Sequence, residues 1–505
     1  MYTKQYLRKI IALAFASAAV LVGVANAADG DLDPSFGNNG RVTTDFLGGY
    51  DEARAVALEK NNKIVAAGAA FNSATGSYDF ALARYKKDGS LDESFGDDGK
   101  VVTHVSEGNP RQRSRREAAD AITIQHDGKI VVAGVAFNSA TSFDNFAVLR
   151  YDNHGRLDSR FGNGGIVMTA FGAADAEAHD LQIQPDGKIV VVGTIGTLTA
   201  VGNAGPRDIA LARYNPDGSL DISFGNGGKA VTDIFEIDEA YAVRLTQDGK
   251  ILVGGATCFF RAPNCRGYGV MDTILLRYNP DGSLDPTFGD GGKATAFIGR
   301  CASITDIEIA PDGKIIVGGP LATLTCVPED RSSFAVLRYN PDGSLDTSFD
   351  ADGIVTTQFQ GRVSITTAIA LTTDGGALKI VAGGYHQQFL ACGATEVGPY
   401  PCDFALIRYN WDGSLDPTFG AGGKASADFG GTEDSAFDLA IQRNGKIVQA
   451  GTNRGDFALA RYLSDDCPLS PLNDGSLKTT SPLLDDAIDK PDDFLGCRFH
   501  PSLNL

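Results

Sequence analysis

Short apolar runs, separated by turns rich in Gly, Asp and Asn, fill most of this chain, and they are apolar on both faces. In Phe80-Ala81-Leu82-Ala83-Arg84-Tyr85, one face carries Phe80 and Leu82 and the other carries Ala81 and Ala83. A sheet covered on one side alternates apolar with polar residues. Large residues opposite small ones, with nothing polar between, predict sheets packed between two neighbours. Four-stranded sheets set radially meet that requirement.

The runs come in a fixed order, here lettered A to D. In one copy they are Ala119 to Gln125, Lys129 to Gly134, Asp144 to Tyr151 and Ile166 to Phe171. The A run recurs at Ala53, Ala119, Ala178, Ala240, Ile304, Thr366 and Ala436. The B run recurs at Lys63, Lys129, Lys188, Lys250, Lys314, Lys379 and Lys446. A Leu-Asp-x-x-Phe motif joins C to D, starting at Leu32, Leu91, Leu157, Leu220, Leu284, Leu345 and Leu415. Its spacings are 59, 66, 63, 64, 61 and 70 residues. Repeats of this length cannot bury their own faces and must stack. The expected fold is all-β: a seven-bladed β-propeller with four-stranded blades. A parallel β-solenoid is the competing fold, but its coils are shorter than this repeat.

The chain starts its repeats on a D run, Arg41 to Phe46, and ends them on a C run at Tyr462. The N-terminal strand is therefore expected to complete the last blade, closing the ring and hiding an edge. Charge spacing leads to the same join. The Arg that ends each C run precedes the motif Asp by eight residues in Arg84/Asp92, Arg150/Asp158, Arg213/Asp221, Arg277/Asp285, Arg338/Asp346 and Arg408/Asp416. Arg461 has Leu469 at that place, and Asp33 has no preceding Arg, so these two are expected to pair. All seven read as structural ion pairs, because seven near-identical copies do not make one active site.

The strings DGKIVVAG, FALARY and NPDGSLDPTFGDGG, which recur in register over about residues 32–462, resemble the delta-60 repeat family of exported bacterial proteins. The resemblance implies a propeller-like repeat fold and little about activity. NHL and lactonase-type propellers are similar more loosely. The chain departs from the pattern at Asn61-Asn62, at Asp350 and in an enlarged A–B turn from Thr373 to Leu378.

Residues 1–27 read as a secretory signal: Lys4, Arg8 and Lys9, then apolar Ile10 to Val24, then Ala25-Asn26-Ala27. The apolar stretch falls short of the roughly 20 residues of a membrane anchor. The expected product is an exported monomer, periplasmic or extracellular, with a propeller over 28–462, a Pro-rich tail over 463–505 and no membrane span in the mature chain. A net charge of -19 repels phosphate backbones and argues against nucleic acid as a partner. The eight cysteines all follow residue 250, and export permits disulfides. Spacing suggests Cys258 with Cys265, Cys392 with Cys402, Cys467 with Cys497 and Cys301 with Cys326.

Length variation is concentrated at one end of the blades. From the last B glycine to the C arginine the separations are 16, 16, 20, 22, 19, 24 and 10 residues, whereas the C–D connection is constant. A rigid scaffold with one variable face is how loop-borne binding sites are built. Asp79, Asp144, Asp208, Asp272, Asp403 and Asp456 sit at or near the opening of the C strand on that face. They are candidates for a cation or a basic ligand, with capping of loop amides as the plainer role. Asp-rich turns such as Asn279 to Asp285 lack the EF-hand spacing, so Ca2+ is a secondary expectation and no cofactor is called for. The six histidines, His104, His126, His154, His179, His386 and His500, are scattered. There is no G-x-S-x-G elbow and no P-loop. A basic cluster, Arg111 to Arg116, reads as a surface loop. The expected role is binding of a protein, glycan or small molecule at the B–C/D–A face. A metal-dependent, lactonase-like hydrolase or lyase is the alternative.

Overall fold

A computed structural model describes residues 28–106, 117–198, 204–259, 270–296, 298, 301–322, 332–359, 363–387, 393–395, 398–400, 402–431, 433–464 and 467–468. Residues 1–27, expected to be a secretory signal, the Arg111 to Arg116 cluster and most of the tail lie outside these residues.

The described residues form an all-β, propeller-like fold made of four-stranded antiparallel groups in A-B-C-D order. The first is Asp51–Leu58, Ile64–Asn72, Ser77–Tyr85 and Lys100–Thr103. The second is Ala118–Ile124, Ile130–Asn138, Phe143–Tyr151 and Ile166–Thr169. The third is Asp175–Ile183, Ile189–Leu198, Ala204–Tyr214 and Lys229–Thr232. The fourth is Ile237–Leu245, Ile251–Phe259, Val270–Tyr278 and Lys293–Ala296.

In the fifth the A strand is split into Cys301–Ala302 and Asp306–Ile309, ahead of Ile315–Ala322, Ser332–Tyr339 and Ile354–Thr357. The sixth is Val363–Asp374, Ala377–Gln387, Cys402–Asn410 and Lys424–Ala427. The seventh joins Asp434–Ile441, Ile447–Asn453 and Asp456–Tyr462 to a D strand from the other end of the chain, Arg41–Thr44. That strand runs antiparallel to the last C strand, Arg41 opposite Ala460 and Thr44 opposite Phe457.

The repeated residues couple neighbouring groups. Each motif Asp forms an ion pair with the Arg of its own C strand: Nε lies 2.7 Å away in Arg84/Asp92, 3.0 Å in Arg150/Asp158 and 2.8 Å in Arg213/Asp221. The distance is 2.7 Å in Arg277/Asp285, 2.8 Å in Arg338/Asp346, 2.9 Å in Arg408/Asp416 and 2.7 Å in Arg461/Asp33. The B-strand lysine adds a second cation to the same Asp, as Lys446 does at 2.7 Å from Asp33. Each of these guanidiniums also stacks on the motif Phe, as Arg461 does on Phe36 at 4.4 Å.

A turn amide then donates to the next group's turn carbonyl: Gly96 to His154, Gly162 to Asp217, Gly225 to Asp281, Gly289 to Asp342, Asp350 to Asp412, Gly420 to Asp29 and Gly37 to Asp88. Tyr hydroxyls repeat the theme one layer away, Tyr85 to Thr44 at 2.9 Å and Tyr151 to Thr103 at 2.9 Å. Burial follows the same plan. One core cluster holds Phe36, Phe46, Ala53, Ala81, Phe457 and Leu459, drawn from the two ends of the repeat array.

The departures from the repeat keep the backbone path. Asn62 and Asp350 adopt positive φ, 64° and 47°, where glycine is the easier residue. The enlarged A–B turn is a longer hairpin, closed at Gly375-Gly376, and its Thr372 and Thr373 pair with Cys467–Pro468 at the start of the tail. Each of the four expected disulfides has a member outside the described residues. No helix among the described residues is long and apolar enough to cross a membrane.

Candidate functional site: the central channel and the loop face

The seven A strands line one cavity of about 270 Å3. A shared irregularity shapes it. Six of these strands skip one residue against the B strand, between Ala53 and Ala55, Ala119 and Ala121, Ala178 and Asp180, Ala240 and Ala242, Thr366 and Ala368, and Ala436 and Asp438. The fifth strand breaks there instead. A β-bulge of this kind re-aims a side chain. The re-aimed residues are Arg54, Asp120, His179, Tyr241, Thr367 and Phe437, with Thr305 at the break, and all line the cavity.

The bulge explains the constant B-strand glycine. A Cβ at Gly68 would overlap the Glu52 carbonyl, and one at Gly134 would overlap that of Ala118. The repeat is therefore constant where the backbone bulges and variable in the side chain that the bulge presents.

Charges inside the channel are met by charges. Arg54 bonds Glu52 on its own strand and Asp120 on the next. Arg244 lies 3.0 Å from Asp306, 3.5 Å from Asp180 and 3.5 Å from Glu308. Beside the cavity, Glu239 accepts from the Tyr241 hydroxyl and pairs with Arg207 of the third C strand. Three aspartates reach across to the following inner strand: Asp180 accepts the Val243 amide at 2.7 Å, Asp306 the Ile369 amide at 2.8 Å and Asp438 the Val56 amide at 2.7 Å. Carboxylates outnumber the arginine around Arg244. Burial pushes Asp180 up to about 6 despite the Arg244 charge, and Glu308 up to about 7. Burial, with repulsion from Asp306 and Asp180, takes Asp438 to about 7.

The second site lies on the loop face, where each C strand opens. The sequence candidates do not converge on one centre. Four of them each join an acid that opens the next A strand and a residue just past the D strand. The groups are Asp79 with His104 and Glu117, Asp208 with Asp233 and Asp238, Asp403 with Asp428 and Asp434, and Asp456 with Asp45 and Asp51. The ligand atoms of each group lie within 4.8 Å of one another. Asp144 donates its amide to Asp175 at 3.0 Å. Asp272 stands apart from these groups, raised by burial, with a buried Oδ1 that accepts no hydrogen bond.

Capping of loop amides falls to the A-strand acids. Asp51 accepts from Phe46 and Phe71, Glu117 from Val105 and Ser106, and Asp238 from Ile234 and Phe235. His104 pairs with Asp79 at 2.7 Å, His179 packs on Tyr241 in the channel, and His386 stacks on Phe359 at 4.7 Å.

The channel set escaped the sequence reading, although it left a signal. One position follows the first small residue of the A run, and it carries Arg, Asp, His, Tyr, Thr, Thr and Phe in turn within an otherwise repetitive segment. The partners of the C-strand aspartates were hidden because one follows the D strand and the other opens the next A strand, far along the chain.

Six segments, residues 59–95, 125–161, 184–224, 267–288, 310–349 and 401–419, match a family described as a domain of unknown function (DUF5122) beta-propeller. These segments take in less than half of the chain, and with the four-stranded groups they mark its fold as propeller-like. No curated protein matches it. Among solved structures it is similar to the β-propeller domain of the trilobed protease of Pyrococcus furiosus, at 10% identity and TM-score 0.38, over 86% of this chain and 100% of that one. It is also similar to an α-L-arabinofuranosidase of Fusarium graminearum, at 9% identity and TM-score 0.41, over 84% and 97%. A third is Sqt1 of Chaetomium thermophilum bound to the N-terminus of a ribosomal protein, at 11% identity and TM-score 0.39, over 83% and 98%.

Proposed function

We propose that the mature chain is an exported binding protein, a member of the delta-60 repeat group. Its propeller has seven blades, is closed by the N-terminal ribbon and spans residues 28–462. Its B–C/D–A face takes up a protein, glycan or small-molecule partner, and it acts as a monomer in the periplasm or outside the cell. The observation that carries this reading is the division of labour between the two ends of the blades. At the A–B/C–D end the same Arg–Asp–Lys contacts and turn amides recur in unit after unit. At the other end the B–C segments differ in length, and the proposed Cys258–Cys265 and Cys392–Cys402 bridges would staple the longest of them. Closure is supported by the cycle of turn hydrogen bonds from Gly96 round to Gly37.

A lactonase-like hydrolase needs a metal on the propeller axis. The axis here carries Arg54 and Arg244, each already engaged by carboxylates, and a guanidinium among those oxygens competes with a cation. Binding is therefore the better reading. Glycan arrays and pull-downs from cell-envelope extracts test it with the full mature chain. Capture should be lost when the B–C segment before Cys402 is replaced by the short Arg454-Gly455 turn of the last unit. A partner that binds the replaced chain equally well refutes the assignment of the face.

A further inference from the structure

We infer that Asp403, Asp428 and Asp434 form a binding site for a hard divalent cation of the Ca2+ class. The three carboxylates come from three elements: the opening of the sixth C strand, the residue after the sixth D strand and the opening of the seventh A strand. Their ligand atoms lie within 4.8 Å of one another. Calcium–oxygen bonds of about 2.3–2.6 Å place opposite ligands roughly 4.6–5.2 Å apart, so one ion spans the group. The set is all oxygen, which suits Ca2+ and leaves soft metals without a nitrogen or sulfur ligand.

A second observation points to a ligand. Asp434 is fully buried, and while its Oδ2 accepts the Phe429 amide at 2.9 Å, its Oδ1 accepts no hydrogen bond of ordinary geometry. The Gly431 amide lies close enough to lower the Asp434 pKa, but not to satisfy that oxygen. The buried Oδ1 of Asp403 is likewise unmatched. A buried acceptor without a donor is costly. Burial, with repulsion from Asp428, raises both groups to about 6. The other titratable groups nearby are Arg454, which donates to the Gly430 carbonyl, and His386, 3.7 Å from Asp403, whose burial favours the neutral ring. Asp428 is exposed, which leaves one side open to water ligands.

The cation would tie the end of the sixth B–C segment to the seventh blade and so fix the loop face. It rests on the junction geometry alone, so failure to capture a partner leaves it standing, and its own failure leaves the binding reading standing.

The test uses the full mature chain, stripped with EDTA and titrated with CaCl2 by calorimetry, with melting followed in parallel. The expected result is saturable binding at millimolar or lower Ca2+ with a rise in Tm. Asp428→Asn should bind one fewer Ca2+ per chain and, without metal, should melt no lower than wild type, because it removes repulsion at an exposed position. Asp434→Asn should lose the same ion. The inference is overturned by the absence of Ca2+ binding. It is equally overturned if both variants, folded by circular dichroism, keep the wild-type stoichiometry, which would mark the ions as bound elsewhere.

Discussion

Asp33→Asn probes the join between the two ends of the chain. The Asp33 side chain is 2% exposed and receives Arg461 at 2.7 Å, Lys446 at 2.7 Å and the Ser35 hydroxyl at 2.7 Å. Burial pushes its carboxyl up, but the Lys446 and Ser35 hydrogen bonds and the Arg461 charge outweigh that and hold it near 2. A shift of nearly two units corresponds to about 2 kcal/mol at neutral pH. The amide also leaves the buried Arg461 guanidinium uncompensated, and breaking such a pair costs about 3–5 kcal/mol. A loss of about 3 kcal/mol is expected, a large share of a typical stability of roughly 5–15 kcal/mol.

Chemical denaturation of Asp33→Asn, Arg461→Met and the double variant measures the coupling, which should exceed about 1 kcal/mol. Limited proteolysis should cut ahead of Arg41 sooner in the single variants. Asp158→Asn, whose partner Arg150 is eight residues away in sequence, serves as the comparison and should lose similar stability without that cleavage. If Asp33→Asn denatures with the wild type, or its effect simply adds to that of Arg461→Met, the ribbon is not part of the fold's closure.

Removing residues 31–46 takes out Phe36, Phe46 and the whole Arg41–Thr44 pairing, and at about 3–5 kcal/mol per buried Phe the melting transition should collapse; an unchanged Tm refutes this. Gly134→Ala should destabilise by several kcal/mol, because its Cβ meets a backbone carbonyl that the bulge fixes, and a melt within a degree of wild type would contradict that. Stability should peak near pH 4, where two windows meet. Asp33, held low, loses its contribution as pH falls from about 4 through 2, whereas Asp180, Glu308 and Asp438, held high, weaken the fold as pH rises from about 4 through 6–7. A Tm profile rising steadily from pH 5 to pH 8 would rule this out. Arg244→Met should steepen the alkaline fall, since Asp180, Asp306 and Glu308 then ionise without a countercharge; a slope equal to wild type argues against the network.

The repeat, the order of its runs and the partner of Asp33 were legible in the chain because each depends on spacing along the backbone. Two apolar faces demand neighbours, a missing D run demands a donor, and an Arg without its Asp demands the one Asp without an Arg. Spacing carries no information about what meets across repeats. Arg54 reaches Asp120 because bulges at equivalent points turn both side chains into the cavity, and Arg244 reaches Asp306 because neighbouring A strands line that cavity together. Asp403 acquires Asp428 and Asp434 in the same way, since strand ends from adjoining blades converge where no linear rule relates them. The local period decides the strands, and the rotation from one blade to the next decides which charges face each other.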